Sequence, residues 1–185
     1  MPTIVGMIGD GIIRRATADD AAACAAIYAP YVTDTTITFE TEAPTVAEMA
    51  RRIEAANERH AWLVLVVDGA VAGYAYGTEH RTRAAYRWAC DASIYLHTGR
   101  RRTGAGRALY AALLPILAAR GYRRVMGGVT QPNEASMGLH RAFGFSDVGT
   151  YRKVGWKLGA WHDVTWLQLD LTPDEDPTAP PADPR

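Results

Sequence analysis

A glycine-containing, arginine-rich segment at residues 99–107 offers the clearest chemistry in this sequence. It follows an apolar run typical of a strand, residues 93–96, and precedes residues at helical spacing. Gly104 and Gly106 can adopt backbone conformations closed to other residues and allow a ligand to come close. The first N–H groups of the following helix have no partner within it and lie at the positive end of its dipole. Three arginines add charged donors suited to phosphate: Arg101, Arg102 and Arg107. The segment predicts a pyrophosphate-binding turn.

Two nucleotide-binding motifs fit this turn poorly. A P-loop needs a lysine directly after its second glycine, and no lysine follows Gly106. A dinucleotide fingerprint needs a third small residue where Leu109 stands, and an acidic residue near positions 125–127, which are Val, Met and Gly. The remaining pattern is Arg101-x-x-Gly104-x-Gly106, which resembles the coenzyme A pyrophosphate loop of the GNAT superfamily of N-acetyltransferases. Taken alone, the motif also fits an ordinary turn with solvated arginines.

Further segments extend this resemblance over nearly the whole chain. The run Gln-Pro-Asn-Glu-Ala-Ser at 131–136, followed by Leu-His-Arg-Ala-Phe-Gly-Phe at 139–145, resembles the second coenzyme-contacting segment of the superfamily. Four shorter stretches resemble the phosphinothricin and methionine sulfoximine N-acetyltransferase branch: residues 27–28, 35–42, 85–88 and 159–163. The resemblance implies an α/β (α+β) fold of the GNAT type, with a mixed, mostly antiparallel central sheet flanked by helices, in one domain over residues 12–171.

The resemblance also implies acetyl-CoA as co-substrate and assigns residues to two binding regions. The strand backbone at Ile94, Tyr95 and Leu96 is expected to bond the pantetheine amides. The remaining coenzyme contacts implied are Arg101, Arg102, Thr103, Gly104, Ala105, Gly106, Arg107, Asn133 and Ser136. The pocket for a small amino acid with a tetrahedral phosphinate or sulfone-like group is implied at Phe39, Arg81, Thr82, Arg83, Tyr86, Asp91, Ala92 and Ser93.

The implied reaction is direct acyl transfer, in which an amine attacks the thioester carbonyl and the thiol leaves. A free α-amine is mostly protonated at neutral pH, so a base must remove a proton. The superfamily branch has a glutamate at the base position, but this chain has Asp91, which is one methylene shorter. We expect Asp91 to act through a bridging water, with His140 as the second candidate base. Tyr95 lies near the implied pocket, and Tyr110 is expected to protonate the departing thiolate.

Several of these residues also have ordinary structural interpretations. Arg83 fits either a clamp for an anionic group or a solvated loop charge, and Arg87 fits the latter better. Phe39 and Tyr86 fit core positions as well as pocket positions on spacing alone. Without the resemblance, His140 on an apolar helix reads as a structural histidine. Two other histidines are predicted at the surface: His60 and His80.

Composition restricts the remaining possibilities. The chain has 185 residues, of which 48% are hydrophobic, enough for the core of one domain. Its 20 basic and 20 acidic residues give no overall field favouring nucleic acid or an anionic membrane. The start of the sequence lacks a signal-peptide pattern, and no apolar run reaches membrane-spanning length. The two cysteines, Cys24 and Cys90, form no close-spaced pair, so we predict no metal site and a cytoplasmic protein.

The pattern of elements agrees with the implied fold. After a loose lead-in at 1–11, the order is one strand, two helices, three strands in a meander, and then α-β-α-β-β. Pro115 is predicted to kink or shorten the helix after the glycine turn. Residues 152–162, which include Trp156 and Trp161, read as a loop that packs against a second copy in a homodimer. Residues 172–185 are rich in Pro, Asp and Ala and read as a disordered tail.

Two alternative functions remain open at this level. The changed base and the run Thr-Thr-Ile-Thr at 35–38 are compatible with an N-acetyltransferase for another amine, such as a different amino acid or a protein N-terminus. A non-catalytic acetyl-CoA sensor, inactive because of Asp91, is the alternative from another class.

Overall fold

The computed structural model describes residues 3–100, 103–172 and 182–184. The strands in these residues are β1 (Ile4–Ile8), β2 (Gly11–Arg15), β3 (Trp62–Val67), β4 (Ala70–Glu79), β5 (Ala89–Leu96), β6 (Arg124–Thr130), β7 (Ser146–Lys157) and β8 (Ala160–Asp170). The α-helices are α1 (Ala21–Asp34), α2 (Val46–Arg59), α3 (Ala105–Ala119) and α4 (Glu134–Ala142). The strands form one sheet in the order β1-β2-β3-β4-β5-β6-β8-β7. Among these strands β5 and β6 are the parallel neighbours, and the other pairs are antiparallel. The predicted mixed, mostly antiparallel sheet is confirmed.

Local sequence signals explain where the elements begin and turn. The hydroxyl of Thr45 accepts a hydrogen bond from the backbone N–H of Glu48 and caps α2. Asp68 and Gly69 join β3 to β4 with φ values of 52° and 76°. Positive φ at both central residues is typical of the two-residue hairpin turns that match strand twist.

Each face of the sheet carries its own apolar core, because successive side chains of a strand point to opposite faces. The α3 face buries Leu63, Leu65, Cys90, Leu109, Leu113, Val125 and Leu167. The face covered by α1 and α2 buries Ile27, Tyr28, Met49, Ile53, Trp62, Tyr74 and Tyr95. Two segments that flank a cleft, α3 and the second half of β5, are thereby held on a rigid framework.

The feature that creates the cleft is the separation of two parallel strands. β5 and β6 are paired only over Ala89–Asp91 and Arg124–Met126. Beyond Asp91, β5 continues along β4 to Leu96, whereas β6 continues along β8 to Thr130. The second halves of β5 and β6 therefore diverge, and an opening forms between them.

Two strand segments differ from the sequence prediction. Within the predicted loose lead-in, Ile4–Ile8 forms the edge strand β1. The loop predicted at 152–162 is wrong, because these residues form the adjoining ends of β7 and β8 around a turn at 158–159. A register shift between Tyr151 and Gly155 interrupts the alternation that would have identified the strand.

Pro115 does not shorten α3, which continues to Ala119. A proline removes one helical donor, and the buried Leu113, Leu114 and Leu117 anchor the helix around it. Most of the tail predicted at 172–185 lies outside the described residues, so that prediction stays untested.

Candidate active site

The opening between β5 and β6 is a cavity of about 790 Å³. It is lined by residues from β5, the start of α3, β6, the start of α4, and two residues near the end of α1: Ala92, Ser93, Ile94, Tyr95, Leu96, Gly104, Ala105, Gly106, Arg107, Tyr110, Gly128, Asn133, Glu134, Ala135, Ser136, Leu139, His140, Tyr31 and Ile37. Nearly all the coenzyme contacts predicted from the sequence thus meet at one cavity. Two predicted contacts, Arg101 and Arg102, lie outside the described residues.

The glycine turn presents a helix N-terminus to this cavity. Gly104 directly precedes the first residue of α3. Its φ of +83° is a left-handed conformation that favours glycine. The N–H groups of the first turn of α3 have no acceptor within the helix and can hold an anion. Gly106 is buried, and a Cβ added there would lie 3.4 Å from Cδ2 of Leu139. The hydroxyl of Thr103 donates to the carbonyl of Arg100, 2.8 Å away, and so steadies the turn rather than facing a ligand directly.

The backbone of β5 is available for an extended ligand. The N–H of His97, just after β5, donates to the carbonyl of Ala72 in β4, so the odd-numbered residues of β5 point their backbone groups toward β4. Even-numbered residues therefore point theirs into the opening. Consistent with this, the carbonyl of Leu96 accepts from the hydroxyl of Tyr31 at 2.7 Å, and the carbonyl of Ala92 lies 3.4 Å from the hydroxyl of Tyr110. The N–H and C=O of Ile94, between them, can bond the amides of a ligand lying along the strand.

On the opposite side of the cavity, α4 is capped by a residue predicted to contact the coenzyme. The side-chain oxygen of Asn133 accepts from the N–H of Ser136 at 3.1 Å. The carbonyl of Ser136 in turn accepts from Nδ1–H of His140 at 2.8 Å. Because a carbonyl cannot donate, Nδ1 carries the proton and Nε2 of a neutral His140 is an acceptor. Burial lowers the pKa of His140 and favours this neutral form, although the Ser136 carbonyl opposes the shift.

Tyr110 and His140 form a buried pair at the floor of the cavity. The Tyr110 hydroxyl lies 3.0 Å from Nε2 of His140, and both residues are at least 94% buried. Burial also raises the pKa of Tyr110, so its hydroxyl keeps its proton. The pair has room because residue 127 is glycine: a Cβ there would lie 2.6 Å from Nε2 of His140.

Asp91 has a partner that sequence reasoning missed. Oδ1 of Asp91 lies 2.6 Å from Nδ1 of His80, and the two side chains are 27% and 11% exposed. Burial raises the pKa of Asp91, and the hydrogen bond to His80 acts in the opposite direction. The prediction that His80 is a surface residue is therefore wrong, and the same prediction is wrong for His60, which is 6% exposed. The contact follows from strand pairing and not from a local sequence signal: Thr78 on β4 pairs with Asp91, and residue 80 shares the face of residue 78.

The residues predicted for the acceptor pocket fall into two groups. Ala92 and Ser93 line the cavity, whereas Asp91, the residue before them, is not among the lining residues. The others lie on exposed loops beside the His80–Asp91 pair or near the β7–β8 hairpin: Phe39, Arg81, Thr82, Arg83 and Tyr86. The ring of Tyr86 lies 6.0 Å from that of His80, and the guanidinium of Arg81 lies over Trp166, 5.9 Å from the ring centre. Phe39 packs over Gly155 and lies 6.4 Å from the ring of His162. Among the described residues, the side chain of Arg83 has no hydrogen-bond partner.

Arg87 contacts Asp183 near the end of the chain rather than the predicted acceptor pocket, since its Nε lies 3.1 Å from a carboxylate oxygen of Asp183.

Among residues 3–100, 103–172 and 182–184, no cluster of three or more His, Cys, Asp or Glu side chains could hold a metal ion. In the same residues, no helix combines the length and apolar character required to cross a membrane.

Comparison with known proteins agrees with this geometry. Residues 13–166 match a protein family described as acetyltransferase (GNAT) domain. The chain belongs to the GNAT acetyltransferase family. It is therefore an N-acetyltransferase by family, and the predicted superfamily, enzyme class and acetyl-CoA co-substrate are confirmed at that level.

Three similar proteins illustrate the branch. Phosphinothricin N-acetyltransferase of Streptomyces viridochromogenes is 39% identical over 159 residues, covering 86% of this chain and 87% of the relative. L-methionine sulfoximine/L-methionine sulfone acetyltransferase of Pseudomonas paraeruginosa is 33% identical over 164 residues, covering 87% and 95%. The crystal structure of a GNAT superfamily phosphinothricin acetyltransferase from Sinorhizobium meliloti, in complex with acetyl-CoA, has a TM-score of 0.84 at 34% identity, covering 88% of this chain and 89% of that one.

Proposed function

We propose that this enzyme acetylates the α-amino group of phosphinothricin, methionine sulfoximine, methionine sulfone or a similar small amino acid by direct transfer from acetyl-CoA. The observation that carries the proposal is the continuous cavity that runs from the N-terminus of α3 to the point where β5 and β6 separate. The names of the relatives supply the class of acceptor.

The coenzyme fits the two ends of this cavity differently. The pyrophosphate suits the first turn of α3, where free N–H groups and Arg107 converge, and Arg101 and Arg102 are proposed to assist. The pantetheine suits the exposed backbone of Ile94 and adds to β5 like a further strand. The acetyl group then reaches the end of the cavity at Ala92, next to Asp91.

The proposed reaction needs one base, one oxyanion site and one acid. A base built around Asp91 takes a proton from the amine, whose nitrogen then bonds to the thioester carbonyl carbon. Backbone N–H groups of β5 stabilise the oxyanion. As the carbon–sulfur bond breaks, the thiolate takes the proton of the Tyr110 hydroxyl, which borders the cavity.

The acceptor region carries charge suited to an anionic amino acid. Arg81 and Arg83 are exposed beside the His80–Asp91 pair, and a planar guanidinium fits carboxylate or phosphinate groups. Phe39 and Tyr86 are proposed to supply its apolar walls. We assign these residues, with Thr82, to the acceptor pocket on this basis.

A homodimer is part of the proposal. The β7–β8 hairpin exposes an apolar surface in which Val148, Tyr151, Val154, Trp156, Leu158 and Trp161 are each 50–59% exposed. Isolated exposed apolar residues are ordinary, but six of them on one hairpin are what an interaction surface is expected to contain. Light scattering at micromolar protein is expected to give twice the chain mass of 20.1 kDa, and a monomer mass would refute the dimer. We further propose a cytoplasmic location, since both cysteines are free and buried.

The direct test is thiol release from acetyl-CoA with a panel of acceptors. Phosphinothricin, methionine sulfoximine and methionine sulfone are offered beside ordinary amino acids and a peptide with a free N-terminus. Release with the first three compounds supports the proposal. Release only with another amine is compatible with the fold and with acetyl-CoA as donor but refutes the acceptor class. Binding of acetyl-CoA without thiol release for any amine favours the alternative of a non-catalytic acetyl-CoA sensor.

A further inference from the structure

We propose that His80 is the group that takes the proton from the amine, and that Asp91 orients His80 rather than acting on the amine itself. The inference rests on the acetyl transfer proposed above. Its basis is the pairing of a shortened acidic residue at the base position with a histidine just past the end of the neighbouring strand β4.

The hydrogen bond sets the chemical form of His80. Nδ1 of His80 lies 2.6 Å from Oδ1 of Asp91, a distance typical of a bond to a charged acceptor. An ionised carboxylate can only accept, so Nδ1 carries the proton and Nε2 of the neutral ring bears the lone pair. Among the described residues no group donates a hydrogen bond to this Nε2. The ring is therefore held at Nδ1, and within the described residues the lone pair of Nε2 is not engaged, which is the arrangement a general base requires.

The surroundings of His80 are the residues proposed for the acceptor. The ring meets Tyr86 and Trp166 edge-on, with centroids 6.0 and 5.8 Å away. Arg81 donates to the backbone carbonyl of His80 and lies over the same Trp166. The titratable and charged groups around His80 are thus Asp91 from β5 and Arg81 and Tyr86 from the following loop, whereas β8 contributes the uncharged Trp166.

The position of the pair along the sheet suits proton transfer at the thioester. Asp91 is the last residue of β5 that pairs with β6, so it lies where the cavity begins. As every second residue of β5, Asp91, Ser93 and Tyr95 share one face of the strand, and Ser93 and Tyr95 line the cavity. An aspartate here reaches one methylene less than a glutamate would. In the inferred mechanism the imidazole of His80, bonded to this carboxylate through Nδ1, supplies the missing reach without a bridging water.

The step balances without any further reactant. Nε2 of His80 takes one proton from the ammonium group and the ring becomes an imidazolium, stabilised by the Asp91 carboxylate. The freed amine attacks the thioester carbonyl, and Tyr110 supplies the proton for the thiolate. As the amide forms, its nitrogen loses a second proton, which replaces the one that Tyr110 gave to the thiolate, and release of the His80 proton to solvent restores the enzyme.

The test compares variants that separate basicity from packing. His80→Gln can still donate to Asp91 but has no basic nitrogen, and we expect it to lower kcat by about 100-fold or more, with the Kd for acetyl-CoA unchanged. Asp91→Asn is expected to lose most of the turnover as well, and the double variant to be little worse than either single one. His60→Gln, which removes a buried histidine away from the cavity, is the matched control and is expected to retain kcat. Thermal unfolding and acetyl-CoA binding confirm that each variant is folded.

A rescue experiment tests reach directly. In His80→Ala, the further change Asp91→Glu restores the longer carboxylate, and we expect kcat to rise at least tenfold over His80→Ala alone. A kcat within threefold of the wild type in His80→Gln or His80→Ala would overturn the inference. It would also be overturned if His80→Ala combined with Asp91→Glu were no faster than His80→Ala alone.

A substrate-free measurement keeps the inference separate from the acceptor class. If the wild type acetylates none of the offered amines, the proposed function fails, but the nitrogen chemical shifts of the His80 ring still report its tautomer. At a pH where the ring is neutral, we expect its proton on Nδ1, with the preference lost in Asp91→Asn. A ring protonated at Nε2 would overturn the inference, because it could not accept a proton from an amine at that atom.

Discussion

The hydroxyl of Tyr110 donates a hydrogen bond to Nε2 of His140, 3.0 Å away, and the carbonyl of Ser136 fixes the direction of that bond. Since Nδ1–H of His140 is committed to Ser136, Nε2 can only accept. The lone pair of His140 is therefore occupied by Tyr110, which leaves His140 poorly suited to remove a proton from the amine. Its role in the proposed mechanism is to orient the hydroxyl that protonates the thiolate.

Tyr110→Phe tests this assignment. The variant removes the proton donor and leaves the buried Nε2 of His140 without a partner, which costs about 1–3 kcal/mol of unfolding free energy. We expect kcat to fall about 10-fold or more while the KM for the amine changes little. Tyr122→Phe is the control, because Tyr122 is also buried and its hydroxyl donates to the Arg59 carbonyl, away from the cavity. Equal kcat losses in both variants would assign the effect to stability and not to the acid.

Gly104→Ala tests the anion site. The positive φ of Gly104 aims the first N–H groups of α3 at the cavity, and alanine holds that conformation at a cost of roughly 1–2 kcal/mol. We expect weaker acetyl-CoA binding by calorimetry, since relaxation of this strain turns the N–H groups away. Gly159→Ala has a similar φ of +78° and open space around it, but it lies in the β7–β8 turn. Gly159→Ala is expected to lose similar stability and to keep its affinity for acetyl-CoA. Unchanged affinity in Gly104→Ala would contradict the anion site at the start of α3.

Gly155→Ala tests the place of Phe39 in the acceptor pocket. A Cβ at residue 155 would collide with the Phe39 ring and displace it. We expect a several-fold rise in KM for the amine with unchanged acetyl-CoA affinity. Gly149→Ala lies on the same strand with no atom near the added Cβ, and it is expected to be neutral. A normal KM in Gly155→Ala would remove Phe39 from the pocket.

The decrease in the free energy of unfolding at acidic pH is expected to depend on His60. Burial, with smaller contributions from Arg59 and Arg120, lowers the pKa of His60 to about 4, whereas an unfolded histidine titrates near about 6.5. As pH falls from about 6.5 towards 4, the unfolded state gains a proton that the folded state excludes, so stability is lost over that window. His60→Phe keeps the ring stacked on Tyr122 and removes the titration.

Urea unfolding at pH 7 and pH 4.5 measures this effect. We expect the wild type to lose about 2 kcal/mol more than His60→Phe between the two pH values. His140, whose pKa burial also lowers, leaves the variant with a residual slope. Equal losses in the two proteins would show that His60 is free to protonate in the fold.

Patterns local in sequence predicted most of the fold. The glycine turn, the Asp68–Gly69 hairpin and the cap at Thr45 each depend on a few neighbouring residues, and the structure has all three. The β7–β8 hairpin was missed because a register shift breaks its alternation. The coenzyme side of the site was equally accessible, because it uses the contiguous residues 92–96 and 104–107.

The acceptor side could not be predicted to the same degree. The His80–Asp91 contact joins two strands whose register is fixed by the whole β4–β5 pair, and no local motif marks it. The buried position of His60 likewise depends on its stack against Tyr122, which is distant in sequence. Such contacts follow from tertiary packing and not from residue type.

The most direct test of the central claim is the ratio of kcat/KM for L-phosphinothricin to that for L-glutamate, which shares the amine and carboxylate but lacks the tetrahedral phosphinate. With saturating acetyl-CoA, and with the N-acetyl product identified by mass, we expect a ratio of about 100 or more, since a site built to bind a polar group discriminates against analogues that lack it. The same preference is expected for methionine sulfoximine over methionine. A ratio near one, or acetylation confined to ordinary amino acids or peptide amines, would contradict the proposed function.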